Sequence, residues 1–158
     1  MKDRLNKVLE WAVVILLNVM LFSVLWGVFT RYFFADQSSW TDELARFMLI
    51  WVSILGAAYI SGKNAHIAID LISASMSLKA RLRMEVLTGI IISLFVLAIF
   101  LVGGLRYIYI SFKLGQTSAA LEIPMGYIYL VLPIAGIIII YFRILGILGS
   151  TKALKHID

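Results

Sequence analysis

The 158-residue chain has no cysteine. Disulfides, thiolate nucleophiles and thiolate metal sites are therefore excluded. Histidine is nearly absent: the two residues, His66 and His156, both fall outside the long apolar runs. Haem or zinc inside a helix bundle needs histidines on facing helices, and no such ligands exist here. An intramembrane serine protease lacks its base for the same reason. The nine acidic residues all sit at the ends of apolar runs or between them. Buried carboxylates are the usual proton relays of membrane pumps, so a self-sufficient proton-coupled pump also lacks its reacting group. No glycine-rich phosphate loop follows a strand. Neither a cofactor nor a metal is expected, and the chain does not read as an enzyme.

What is abundant is apolar sequence, 62% of the chain against the ~45–50% of soluble domains. Trp11 to Thr30, Val86 to Leu105 and Ile123 to Phe142 are each 20 residues without a charge, and Phe47 to Gly62 is 16. A helix needs ~20 such residues to cross a ~30 Å hydrocarbon core. Only helices and closed barrels span lipid, because every backbone polar group must be satisfied internally. The predicted fold is an all-α integral membrane protein with four transmembrane helices, over about 6–32, 40–62, 84–112 and 124–147, in one membrane domain.

The net charge of +5 could point to nucleic acid, but basic residues gather on the cytoplasmic loops of any membrane protein, and no nucleic-acid partner is expected. Lys2, Arg4, Lys7, Lys63, Lys79, Arg81, Arg83, Arg143, Lys152 and Lys155 fall on the side of the termini. Only Arg31, Arg46, Arg106 and Lys113 fall on the other. The richer side is predicted to be cytoplasmic, with both termini inside. The first apolar run exceeds the ~7–15 residues of a signal peptide and lacks a small-residue cleavage site, so it reads as a retained anchor.

Asn18 is the one strongly polar residue inside the first span and is expected to bond across to a neighbouring helix. Ser39 with Asp42 has the form of a capping box, which starts the second span near Trp40. Asp42, Glu43 and Arg46 then share one face of its first turn, so Arg46 is expected to pair with one of the two acids. Gly62, Lys63 and Asn64 end this span. Beyond them, His66, Asp70, Ser73 and Ser77 oppose an apolar face. That pattern predicts a short interfacial helix over about 65–78, followed by Lys79, Arg81 and Arg83 against anionic headgroups. Pro124 suits the first turn of the fourth span, and Pro133 is predicted to kink it. Trp26, Tyr32, Phe33, Phe34, Trp40, Tyr107, Tyr109, Tyr127 and Tyr129 form an aromatic belt at the outer boundary. Ser53, Ala57 and Ser61 would let another helix approach closely, from this bundle or from a partner.

The run Arg31-Tyr32-Phe33, then Trp40-Thr41-Asp42-Glu43 and Arg46, Trp51, Leu55-Gly56-Ala57-Ala58, and His66 with Asp70, resembles the small membrane subunit (DctQ type) of tripartite ATP-independent periplasmic (TRAP) transporters. Pro124-Met125, Tyr129 and Pro133 are similar too, so the resemblance covers nearly the whole chain. The chain departs at Lys63, where an arginine is common, and lacks a proline after Asp70. The resemblance implies Arg31, Trp40, Asp42, Glu43, Arg46, His66, Asp70 and Pro124 as motif residues. It implies a non-catalytic scaffold in the bacterial inner membrane, in a heterodimer with a large subunit that carries sodium and substrate sites. A periplasmic substrate-binding protein would dock transiently, and the cargo would be an organic acid such as a C4-dicarboxylate or sialic acid. On this chain the residues placed to meet the binding protein are Asp36, Gln37, Lys113, Gln116 and Glu122. Two other classes remain: a small homodimeric exporter, disfavoured by the missing carboxylate in the first span, and a membrane anchor of an enzyme complex, disfavoured for haem-binding types by the missing histidines.

Overall fold

In the computed structural model, residues 2–34, 38–63 and 77–155 are described. The sequence-predicted interfacial helix over 65–78, with His66 and Asp70, lies almost wholly outside them, as do Asp36, Gln37 and His156. Every element among the described residues is helical apart from one isolated antiparallel pairing of Thr117 with Pro124. Among the described residues, four helical spans are long and apolar enough to cross a membrane: Lys2–Phe33, Ser39–Gly62, Leu78–Lys113 and Met125–Lys155.

The first two spans are α1 (Lys2–Phe33) and α2 (Ser39–Gly62). The helix N-cap of α2 is Ser38, and its side chain makes no capping bond. The cap thus falls one residue before the expected Ser39, and Thr41 ties the first turn: its hydroxyl donates to the Ser38 carbonyl at 2.6 Å and its N–H reaches the same carbonyl at 3.1 Å. The third span starts with α3 (Leu78–Val96), six residues before the expected Met84. Ser77 is its N-cap, accepting from the Ala80 N–H at 3.4 Å, and does not belong to the polar face of an interfacial helix.

The third span continues through a π-helical segment, Leu97–Gly103, into α4 (Gly104–Lys113). Its buried positions explain the wide turn. Gly89, Val96, Gly104 and Ser111 are buried, so the inward spacing runs seven, eight, seven. Seven residues of α-helix return to nearly the same face, but eight overshoot by ~80°. One π turn absorbs the extra residue and keeps a single face inward.

The fourth span is α5 (Met125–Tyr129) and α6 (Val131–Lys155), interrupted at Leu130. Pro133 causes the break: it has no N–H for the Tyr129 carbonyl four residues back, and its ring crowds that carbonyl. Beside it the third and fourth spans cross closely. A Cβ on Gly104 would lie 3.0 Å from Leu132 Cβ, and one on Gly136 would lie 3.0 Å from Phe100 Cβ.

Packing runs from α1 to α2, from α2 to α6 and from α6 to α3. Leu9, Leu55, Ala58, Val96, Val131, Ala135, Ile139 and Phe142 form one buried cluster along this line. Lipid tails are as apolar as these side chains, so van der Waals fit rather than exclusion of water holds them together. The outward faces stay apolar, as at Phe22, Ile91 and Ile137, and suit lipid or a partner helix.

Candidate functional site

At one end of the bundle the third and fourth spans are joined by residues 114–124, a segment of small and polar side chains. Gly115 turns the chain with φ 59°, a region open to glycine. The Gln116 N–H donates to the Ser111 carbonyl at 3.0 Å, and the Met125 N–H to the Gln116 carbonyl at 2.8 Å. Ser118 closes a second ring: its N–H reaches the Ile123 carbonyl at 2.9 Å, and its Oγ accepts from the Ile123 N–H at 3.3 Å. Within that ring Glu122 is held at φ 55°, a left-handed conformation that L-residues disfavour.

Three successive N–H groups of this loop converge on one carboxylate. Ala119 donates to Glu43 Oε1 at 3.0 Å; Ala120 and Leu121 donate to Oε2 at 2.8 and 2.9 Å. Consecutive backbone donors of this kind form a concave anion site, and here the anion is a side chain of α2. Charge-assisted bonds to N–H groups are the stronger class. The Ser118-Ala119-Ala120 run has side chains small enough for α2 to come this close. Glu43 therefore ties the loop of the third and fourth spans to the start of α2.

The α1–α2 connection is fixed by hydroxyls in the same region. Ser23 Oγ, buried, donates to the Thr41 carbonyl at 2.8 Å. Thr30 Oγ1 donates to the Gly27 carbonyl at 3.1 Å and accepts from the Ser38 N–H at 3.4 Å. Aromatic rings ring this end in two groups: Phe29 stacks on Phe33 at 4.4 Å, and Tyr107 meets Tyr129 edge-on at 4.6 Å.

The sequence-predicted residues distribute as follows. Arg31, Trp40, Asp42 and Arg46 are exposed around the start of α2. Arg46 folds back one turn, its Nε–H donating to the Asp42 backbone carbonyl at 3.4 Å. Glu43, an expected partner of Arg46, has its carboxylate on the loop. Pro124 is half-buried and immediately precedes α5. Lys113, Gln116 and Glu122 are exposed on or beside the loop, with Lys113 Nζ 5.9 Å from the centre of the Tyr109 ring. Asn18 does not bond across helices. Its Nδ2 donates instead to the Val14 carbonyl at 2.8 Å, one turn back on the same helix, and the residue is exposed.

At the opposite end, the Tyr59 hydroxyl donates to Glu10 Oε2 at 3.3 Å, and Lys63 Nζ stands 4.7 Å from the Tyr59 ring centre. The Tyr59 phenol, by hydrogen bond and charge, holds the Lys63 ammonium above its usual range. Among the described residues no three histidine or carboxylate side chains gather into a metal site.

Against known proteins, residues 3–152 match the family described as tripartite ATP-independent periplasmic transporters, DctQ component. The chain belongs to this family. The DctQ-family chain is 24% identical over 159 residues to the sialic acid TRAP transporter small permease protein SiaQ of Vibrio cholerae, covering 98% of this chain and 87% of that one. It is 28% identical over 122 residues to the C4-dicarboxylate TRAP transporter small permease protein DctQ of Rhodobacter capsulatus, covering 75% and 53% of the two chains. It is 32% identical over 104 residues to the isethionate TRAP transporter permease protein DctMQ of Oleidesulfovibrio alaskensis, covering 64% of this chain and 16% of that much longer one. This DctQ-family chain is thus a multi-pass membrane component of a transporter and not an enzyme.

Proposed function

We propose that the chain is the scaffold of a TRAP importer, a heterodimer in the bacterial inner membrane in which a separate large subunit moves the substrate. The family match over residues 3–152 carries this proposal. The relative named DctMQ supports the pairing, since a DctQ-like stretch there occupies a small part of one long permease chain. The apolar outer faces of the bundle leave room for such a subunit. The cargo is an organic acid, with the sialic acid, C4-dicarboxylate and isethionate relatives bounding its chemistry, and sodium drives uptake. Both termini face the cytoplasm, by the asymmetry of basic residues. The Glu43-tied loop then faces the periplasm. Lys113, Gln116 and Glu122 there, with Asp36 and Gln37, meet the substrate-binding protein in a small, transient contact.

Reconstitution into liposomes tests this directly. The chain alone gives no sodium-driven uptake, whereas the heterodimer with its binding protein does. Lys113→Glu changes uptake most at low binding-protein concentration and little at saturation, because rim charges act mainly on association rate. Uptake by the chain alone would refute the scaffold role. A Lys113→Glu titration superimposable on wild type would remove that residue from the docking contact.

A further inference from the structure

The α2 and α3 helices both pack on α6 and scarcely meet each other. Between them lies a groove of about 380 Å³ that opens outward. Ile139 forms its floor, Ala57 and Ile60 one wall, and Ile92, Phe95 and Phe100 the other. From Ile92 to Phe100 it extends ~12 Å along the helix. One leaflet of the hydrocarbon core is ~15 Å deep, so the groove has the depth of a single leaflet.

Its polar groups are all at one end, the end of the chain termini. Ser61 and Arg143 line the groove there. Ser61 is 7% exposed, and its Oγ has no hydrogen-bond partner, although an i−4 carbonyl is the usual recourse of a helical serine. A buried hydroxyl left unpaired is costly, so this one is set for a partner that the chain itself does not provide. Arg143 is half-buried, with Glu85 beside it in the small cavity just beyond, which Ser61 also lines. A guanidinium has five donors in a fork, enough for a carboxylate on one side and another acceptor on the other. Lys79, Arg81 and Arg83 occupy the first two turns of α3, so this end is net positive despite Glu85.

We propose that the groove holds an anionic phospholipid of the leaflet at the termini end. One acyl chain lies between α2 and α3, and the phosphate accepts from the Ser61 hydroxyl and the Arg143 guanidinium. A basic head position above an apolar slot between helices is the arrangement that holds such headgroups. A partner helix fits less well, because close helix approach in lipid favours small residues, and Phe95 and Phe100 project on this wall.

The test uses the full-length chain in detergent and native mass spectrometry, with phosphatidylglycerol and phosphatidylcholine as probes. One phosphatidylglycerol should bind per chain in preference to phosphatidylcholine. Arg143→Gln should weaken phosphatidylglycerol about tenfold, as for a charged hydrogen bond, and narrow its advantage over phosphatidylcholine. Ser61→Ala should weaken both lipids several-fold. Ala57→Phe fills the groove without altering a charge and should weaken both alike, which keeps the test decisive if Arg143→Gln does not fold. Equal affinity for the two lipids in the wild-type chain would overturn the proposal. So would an unchanged preference in Arg143→Gln, or binding undiminished in both Ser61→Ala and Ala57→Phe. A cysteine at position 57 that crosslinks to the large subunit in the assembled complex would assign the groove to a protein helix instead.

Discussion

At the residue scale, two polar contacts organise the loop end, and both join segments distant in sequence. Glu43 accepts from residues 76 to 78 positions away. Glu43→Ala should release the loop, and amide hydrogen exchange at Ala119, Ala120 and Leu121 should speed up together. Glu43→Gln keeps one acceptor oxygen but turns an NH₂ group toward backbone donors, so its protection should fall between wild type and Glu43→Ala. Unchanged exchange in Glu43→Ala would show that the loop holds itself. The second contact is Ser23 to the Thr41 carbonyl, buried between α1 and α2. Ser23→Ala should lower stability in detergent by roughly 0.6 kcal/mol, the average for interhelical hydrogen bonds in membrane bundles. A loss of several kcal/mol would mean that the hydroxyl also orders its surroundings.

At the element scale, the third span matters most because it is not a uniform α-helix. The seven-eight-seven spacing of Gly89, Val96, Gly104 and Ser111 can face α6 only if one residue is absorbed by a wide turn. Deleting Val102, an exposed residue of the π segment, should restore an even spacing of seven and yield a well-folded chain. Deleting Ile91 in regular α-helix should not. It cuts the spacing from Gly89 to Val96 to six, which rotates one from the other by ~120°. Yields of folded protein for the two deletions, compared by size-exclusion chromatography, check this. Equal recovery of both would show that the inward spacing does not govern packing. The fourth span carries the complementary break at Leu130, legible in Pro133 alone, whereas nothing about Leu97–Gly103 in isolation marks a π turn.

At the scale of the whole molecule, the proposed sidedness rests on the charge asymmetry. The chain has no native cysteine, so single cysteines report topology without background. A cysteine at exposed Gln116 should react with an impermeant maleimide added outside intact cells. Cysteines at Ala80 and Leu154 should react only after the membrane is opened. External labelling at Ala80 would invert the orientation and move the loop tied by Glu43 to the cytoplasm. Such an inversion would also exclude the loop from any contact with a periplasmic protein.

The sequence by itself determined the class and the presence of four spans, though not their ends, because the energy of a backbone in lipid depends on run length and charge, and both are local properties. It also determined the site of the fourth-span kink, since proline removes a donor wherever it sits. The motif from Arg31 to Arg46 was legible as a pattern, but not what its residues do. Only the tertiary structure decided that Glu43 serves the loop and not Arg46. Backbone N–H groups carry no sequence signature, and their donors lie on another hairpin. The same holds for Asn18: whether an asparagine bonds across helices or back to its own carbonyl depends on which face of α1 meets α2. The order of packing, with α6 between α2 and α3, was likewise undetermined. Apolar side chains in lipid gain little from any one neighbour over another until glycines such as Gly104 and Gly136 let specific backbones approach.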